Sequence, residues 1–284
     1  MRCRRAGAGR ITFSPRARSA AFTPPVRAGR TATIYLSLSM VTRENGSVYL
    51  KPPLGWRSSF TFTTAGGSPV RVTTLTRAEA EHGWRGEAWG SQRLVISAAD
   101  PMFKGDEIEL RSAGVPDFDL VVFPPVEPAL QATDGTLEAE STGGAASVFH
   151  LRARPKVLEV KPESCGDNKI LLRFPPNLLA ESRDGNVTDI YLRVDYTGDT
   201  AGAYINGQLV ADHYNNGTPW VIGLKRFFPA VSEHGLVLRF RPLRKGVVKN
   251  VSNAMAARLD FEGEERLEIH SVNLIPEYTI RVRR

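Results

Sequence analysis

Hydrophobic and polar residues alternate with a period of two along most of the chain from Thr31 onward. Thr31-Ala-Thr-Ile-Tyr-Leu-Ser-Leu, Phe60-Thr-Phe-Thr, Val70-Arg-Val-Thr-Thr-Leu, Leu94-Val-Ile-Ser, Glu107-Ile-Glu-Leu and Phe118-Asp-Leu-Val-Val-Phe read as short strands. A period of two places successive side chains on opposite faces of an extended chain, one face buried and one wet. The same pattern returns in Lys156-Val-Leu-Glu-Val, Lys169-Ile-Leu-Leu-Arg-Phe, Asp189-Ile-Tyr-Leu-Arg-Val-Asp-Tyr, Gly235-Leu-Val-Leu-Arg-Phe, Glu265-Arg-Leu-Glu-Ile-His-Ser-Val-Asn-Leu and Tyr278-Thr-Ile-Arg-Val. One helix is predicted in the first half, from Arg77 to about Trp84, because Thr76 and Glu79 stand at capping-box spacing. Trp84 and Trp89 are then expected to anchor that helix on a sheet.

The turn signals agree with strands. Asn45-Gly46 precedes Val48-Tyr49-Leu50, and Asn206-Gly207 separates Ala203-Tyr204-Ile205 from Gln208-Leu209-Val210. Asn-Gly between two apolar runs predicts a tight hairpin, since a type I′ turn needs positive φ at both central residues. Between Pro124 and Pro155 proline clusters and the run Ser141-Thr-Gly-Gly-Ala-Ala loosen the pattern, although Leu137-Glu-Ala-Glu and Ser147-Val-Phe-His can add edge strands. Strands spaced ten or so residues apart, with few helices, predict an all-β protein of two β-sandwich domains, residues 31–154 and 155–284, the second a jelly roll.

Composition changes this picture at one place. Residues 1–30 contain eight Arg, no Lys and no acidic residue, and show no apolar periodicity, so they read as a basic disordered tail. Removing them from the total leaves 29 basic against 30 acidic residues, a net charge of −1. The sequence pI of 9.6 therefore belongs to the tail, and the near-neutral body argues against a nucleic-acid partner, whose basic footprint should lie on the fold. No apolar run approaches the roughly 18 residues of a membrane-spanning helix, and the N-terminus lacks the apolar core of a signal peptide. A soluble protein is expected, with its compartment undetermined.

Two cysteines, Cys3 and Cys165, make neither a disulfide framework nor a metal site. His82, His150, His213, His234 and His270 are scattered without metal-ligand spacing, so neither metal nor cofactor is expected. Phosphate-binding loops, the His-Glu-x-x-His motif and the nucleophile elbow are all missing from the sequence, and no catalytic residue is assigned. The densest polar and aromatic cluster follows the second hairpin: Asp212, His213, Tyr214, Asn215, Asn216 and Trp220. Aromatic faces stack on the C–H face of a pyranose while Asp, Asn and His bond its hydroxyls, so these six form the candidate carbohydrate-binding set. A structural role competes with this one. Asn215-Asn216-Gly217 is turn chemistry, and Trp220 with Ile222 and Leu224 can be core.

The stretch from Asp195 to Leu224, with its Asn-Gly turn and Gly217-Thr-Pro-Trp220 loop, resembles the galactose-binding-like jelly-roll modules that accompany the catalytic barrel of glycoside hydrolases, in particular bacterial β-galactosidases of glycoside hydrolase family 35. Val72-Thr-Thr-Leu-Thr-Arg-Ala-Glu-Ala and Arg93-Leu-Val-Ile-Ser are similar to the all-β region before that jelly roll. The resemblance implies a non-catalytic accessory portion that supports a catalytic barrel domain of a larger hydrolase and contacts carbohydrate; a stand-alone carbohydrate-binding module is the alternative. The strand–helix alternation of such a barrel is missing here, so the resemblance carries over no catalytic residue.

Overall fold

A computed structural model describes residues 55–57 and 73–284, apart from 127–129, 141–145, 183–185 and 247–259, together with the backbone of the strands between residues 20 and 72. The chain is all-β, and its strands pair antiparallel. Among the described residues, eight strands come before residue 76: β1 (Ala20–Phe22), β2 (Pro25–Val26), β3 (Arg30–Thr31), β4 (Thr33–Leu36), β5 (Val41–Glu44), β6 (Ser47–Leu50), β7 (Ser59–Thr63) and β8 (Pro69–Thr73). Of the basic segment 1–30, residues 1–19 lie outside the described residues, whereas β1 pairs with β4. Strands β5 and β6 pair on either side of Asn45-Gly46, which is itself outside the described residues.

Next come β9 (Gly83–Ala88), β10 (Ser91–Ile96), β11 (Asp100–Phe103), β12 (Glu107–Ala113), β13 (Asp117–Phe123), β14 (Gln131–Thr133), β15 (Thr136–Glu140) and β16 (Ser147–Arg152). They are followed by β17 (Pro162–Ser164), β18 (Lys169–Leu172), β19 (Val187–Thr197), β20 (Thr200–Ile205), β21 (Gln208–Tyr214), β22 (Trp220–Gly223), β23 (Leu236–Phe240), β24 (Leu243–Arg244), β25 (Glu265–Arg266) and β26 (Glu268–Arg283). Three sheets carry the core, with orders β15-β16-β13-β10-β9, β11-β12-β26-β19-β22 and β17-β18-β23-β20-β21; β14 adds to β26.

The predicted helix is shorter than its signal suggests. The Thr76–Glu79 capping box is formed, but helix α1 spans only Arg77–Glu81. Gly83 begins β9, which folds back on β10 through Trp89 (φ 52°) and Gly90 (φ 72°). Glycines at 83, 86 and 90 interrupt a helical face, and Phe103 occupies the space where a side chain at Gly86 would stand. The two tryptophans consequently belong to a hairpin: Trp89, in its turn, is buried, and Trp84, on β9, is 40% exposed. Lys156–Val160 is also no strand. Val157 is exposed while Leu158 and Val160 pack against the core, and the Lys156 N–H donates to the Tyr278 hydroxyl (2.9 Å).

The sixteen-residue β26 ties the molecule together. Its C-terminal end pairs with β12, from Glu107 opposite Arg283 to Ala113 opposite Glu277. Its N-terminal part pairs with β19, from Val187 opposite Tyr278 to Thr197 opposite Glu268. One sheet thus takes strands from both sides of Arg154, and one hydrophobic cluster runs from Ala88 to Val282. The inward face of that sheet carries Ile108, Leu110, Ile190, Leu192, Val194, Ile222, Ile280 and Val282.

The opposite face of the same sheet is polar, yet partly dry. The Glu109 side chain is only 4% exposed and accepts from Lys104 Nζ (2.5 Å), Arg111 Nη2 (2.7 Å) and Arg281 Nε (3.2 Å). Burial pushes this carboxyl upward, but the three cationic donors overcome it and hold it down at about 2. Four residues further along the same face, Glu277 accepts from the Thr188 hydroxyl (3.0 Å) and the Tyr191 hydroxyl. Together these bonds fasten β12 and β19 to β26 from the outside.

Candidate functional site

The hairpin β20–β21 forms as its sequence dictates: Asn206 (φ 48°) and Gly207 (φ 76°) both occupy the left-handed region between Ile205 and Gln208. One extra residue in β21 makes a bulge between the pairs Ala203–Ala211 and Tyr204–Leu209. From there, alternation decides which candidate residues turn inward. His213 faces the sandwich interior, whereas Asp212 and Tyr214 face outward, Tyr214 at 80% exposure.

Inside, a chain of rings joins the two sheets. The His213 imidazole lies parallel on Trp220 (centroids 5.6 Å apart, 6° between planes) and meets the edge of Tyr196. Its Nδ1 is 2.9 Å from the Tyr196 hydroxyl. Tyr196 in turn packs edge-on against Phe240 (5.0 Å). Trp220, Ile222 and Leu224 are all core. Strand β22 pairs with β19 on one sheet and β21 with β20 on the other, so this stack bridges the sandwich at its open side.

The connecting loop is held by its own side chains. Asn215 Nδ2 donates to the Tyr196 carbonyl (2.8 Å), the Asn215 N–H donates to the Asp199 carbonyl (2.9 Å), and Asn215 Oδ1 accepts from the Gly217 N–H (2.8 Å). Asn216 Oδ1 accepts from the Thr218 N–H and hydroxyl. Gly217 at φ 90° makes the turn that only glycine enters readily. Of the six candidates, then, the structure brings His213, Asn215 and Trp220 together inside, and sets Asp212, Tyr214 and Asn216 at the surface. Tyr196, absent from the candidate set, is the partner of both His213 and Asn215. Its position in an alternating strand was the available signal. On the far sheet, Asp189, Gly223, Lys225 and Arg226 line an open cleft, where Asp189 Oδ1 caps the N–H groups of Ile190 and Lys225.

Burial pushes the His213 imidazole below the usual histidine value of 6.5, with the Asp212 charge pulling the other way. The unfolded chain therefore binds this proton more readily than the folded one, and stability drains away as pH falls below 6.5. Urea unfolding at pH 7.5 and 5.5 should show a smaller acid loss in His213→Gln than in the wild type; equal losses would refute the assignment.

No family model matches the chain, and no curated protein does. Among solved structures the chain is similar to the GH31 alpha-xylosidase from Xanthomonas citri, at 11% identity over 96% of this chain and 37% of that one, with a TM-score of 0.15. The chain spans little more than a third of that enzyme's length, and the likeness is too loose to assign an activity. Among the described residues, no helix is long and apolar enough to cross a membrane.

Proposed function

We propose that this chain is a non-catalytic accessory β-portion of a glycoside hydrolase of the β-galactosidase type, supporting a catalytic barrel that lies outside it and contacting carbohydrate. The observation that carries the reading is the stretch Asp195–Leu224, whose resemblance to galactose-binding-like jelly rolls was noted in sequence. In the structure that stretch is a hairpin and an anchored loop that closes one side of a sandwich, with Trp220 driven between the sheets. This is framework chemistry of the kind a supporting module requires. No residue is assigned a catalytic role.

A stand-alone carbohydrate-binding module is the second reading, favoured by the outward Asp212 and Tyr214. Hydrolysis of nitrophenyl galactosides separates an enzyme from both. The purified chain is expected to show no turnover above background, and turnover abolished by a single substitution would overturn the proposal. Pull-down of a separate barrel chain from the source cells favours the supporting role, while saccharide affinity without such a partner favours the module.

A further inference from the structure

Resting on the carbohydrate reading above, the structure points to a different contact surface from the loop. The rings of His213, Trp220 and Tyr196 are spent on one another in the interior, so they offer no free aromatic face. The outer face of the sheet β17-β18-β23-β20-β21 does offer one. Its pairing register puts Leu171 beside Val237, Val237 beside Tyr204, and Tyr204 beside Leu209, which makes an apolar row across four strands. Leu209, at the edge, is 56% exposed.

Gly202 is the reason the row is flat. A Cβ there would stand 2.9 Å from Tyr204 Cε2, 3.0 Å from the Tyr204 hydroxyl and 3.0 Å from Leu209 Cδ1. Only a glycine lets the Tyr204 ring lie back over its own strand. The next row in the register is Lys169, Arg239, Gly202 and Asp212, with Lys169, Arg239 and Asp212 exposed. Tyr214, opposite Thr200, stands one row further along the same face.

We infer that this face is a saccharide-binding platform. Tyr204 and Leu209 form the floor on which a pyranose ring lies, Tyr214 provides a second stacking point, and Arg239 and Asp212 supply a donor and an acceptor for the hydroxyl rim. The apolar row is a single residue wide and charged residues border it. A protein partner needs a broad dry centre, on the order of 800 Å² per side, which this row cannot provide. A sugar chain needs a narrow stacking strip with hydrogen-bonding edges, as here.

Titration of the full chain with soluble galactan, xylan and β-glucan tests this. Binding to at least one polymer is expected, weakened about ten-fold or more in Tyr204→Ala and in Tyr214→Ala and unchanged in Asn216→Ala. Arg239→Ala, a change at an exposed position that leaves the Tyr204 ring and Gly202 in place, is expected to weaken binding too, and it keeps the test valid if Tyr204→Ala lowers the melting temperature. Polymer binding that survives Tyr204→Ala and Arg239→Ala but is lost in Asn216→Ala would return the contact to the loop, overturning the platform while leaving the carbohydrate reading intact. Binding to none of the polymers would remove both. A dimer in sedimentation that Tyr204→Ala dissociates would overturn the platform in favour of self-association.

Discussion

Trp220→Ala is expected to destabilise the fold by about 3–5 kcal/mol, the range for emptying a large aromatic site in a packed core. The effect belongs at the upper end, because the indole fills the space between two sheets and also carries the stacked His213 ring. Without it, β21 loses the ring on which His213 stacks, and the loop that follows loses the core residue at its end. For a chain of this size the melting temperature should fall by roughly 10 °C, at about 2–4 °C per kcal/mol. A second readout is specific to the stack. As water reaches the imidazole, His213 should titrate closer to 6.5, which the ring resonances would report in proton NMR. A variant that melts within about 2 °C of wild type would show that Trp220 is not part of the core.

Glu109→Gln is the other large effect. The glutamine keeps the shape but leaves Lys104, Arg111 and Arg281 converging without their anion. The carboxyl is held at about 2 against an ordinary 4.5, which corresponds to about 3 kcal/mol of stability at neutral pH. Because the folded value is depressed, that stability is fully present above pH 4.5 and is lost as the pH falls toward 2. The variant should therefore be weaker than wild type at pH 7 and lose less on acidification, so that the two unfolding curves converge near pH 2. Salt should narrow the gap only slightly, since Glu109 itself is dry although its partners are 39–42% exposed. Parallel pH profiles would refute the network's role.

How much was legible in the chain depends on whether a signal is local. The alternating runs and Asn206-Gly207 specify strands and a turn within a few residues, and the β20–β21 hairpin formed as read. The capping box was equally local, but the helix it opens stops at Glu81 because pairing of Gly83–Ala88 with β10 outweighs one further helical turn. Lys156–Val160 alternates like a strand yet finds no partner strand, and alternation alone cannot supply one.

For the candidate set, the concentration of polar and aromatic groups at 212–220 is written in the chain, and parity along β21 separates His213 from Asp212 and Tyr214. What it could not contain was which of the two faces was interior. That was decided by Tyr196 and Trp220, brought from strands of the opposite sheet. Glu109 teaches the same lesson: within Glu107-Ile-Glu-Leu it looks like one more solvent-facing acid, and only the pairing of β12 with a strand 172 residues away supplies Arg281 and shuts out the water. Local spacing determines extended chain and turn because those depend on neighbours' sterics. Burial, charge and the flat Tyr204 face depend on who lies across the sheet, and that is settled only when the whole chain has closed on itself.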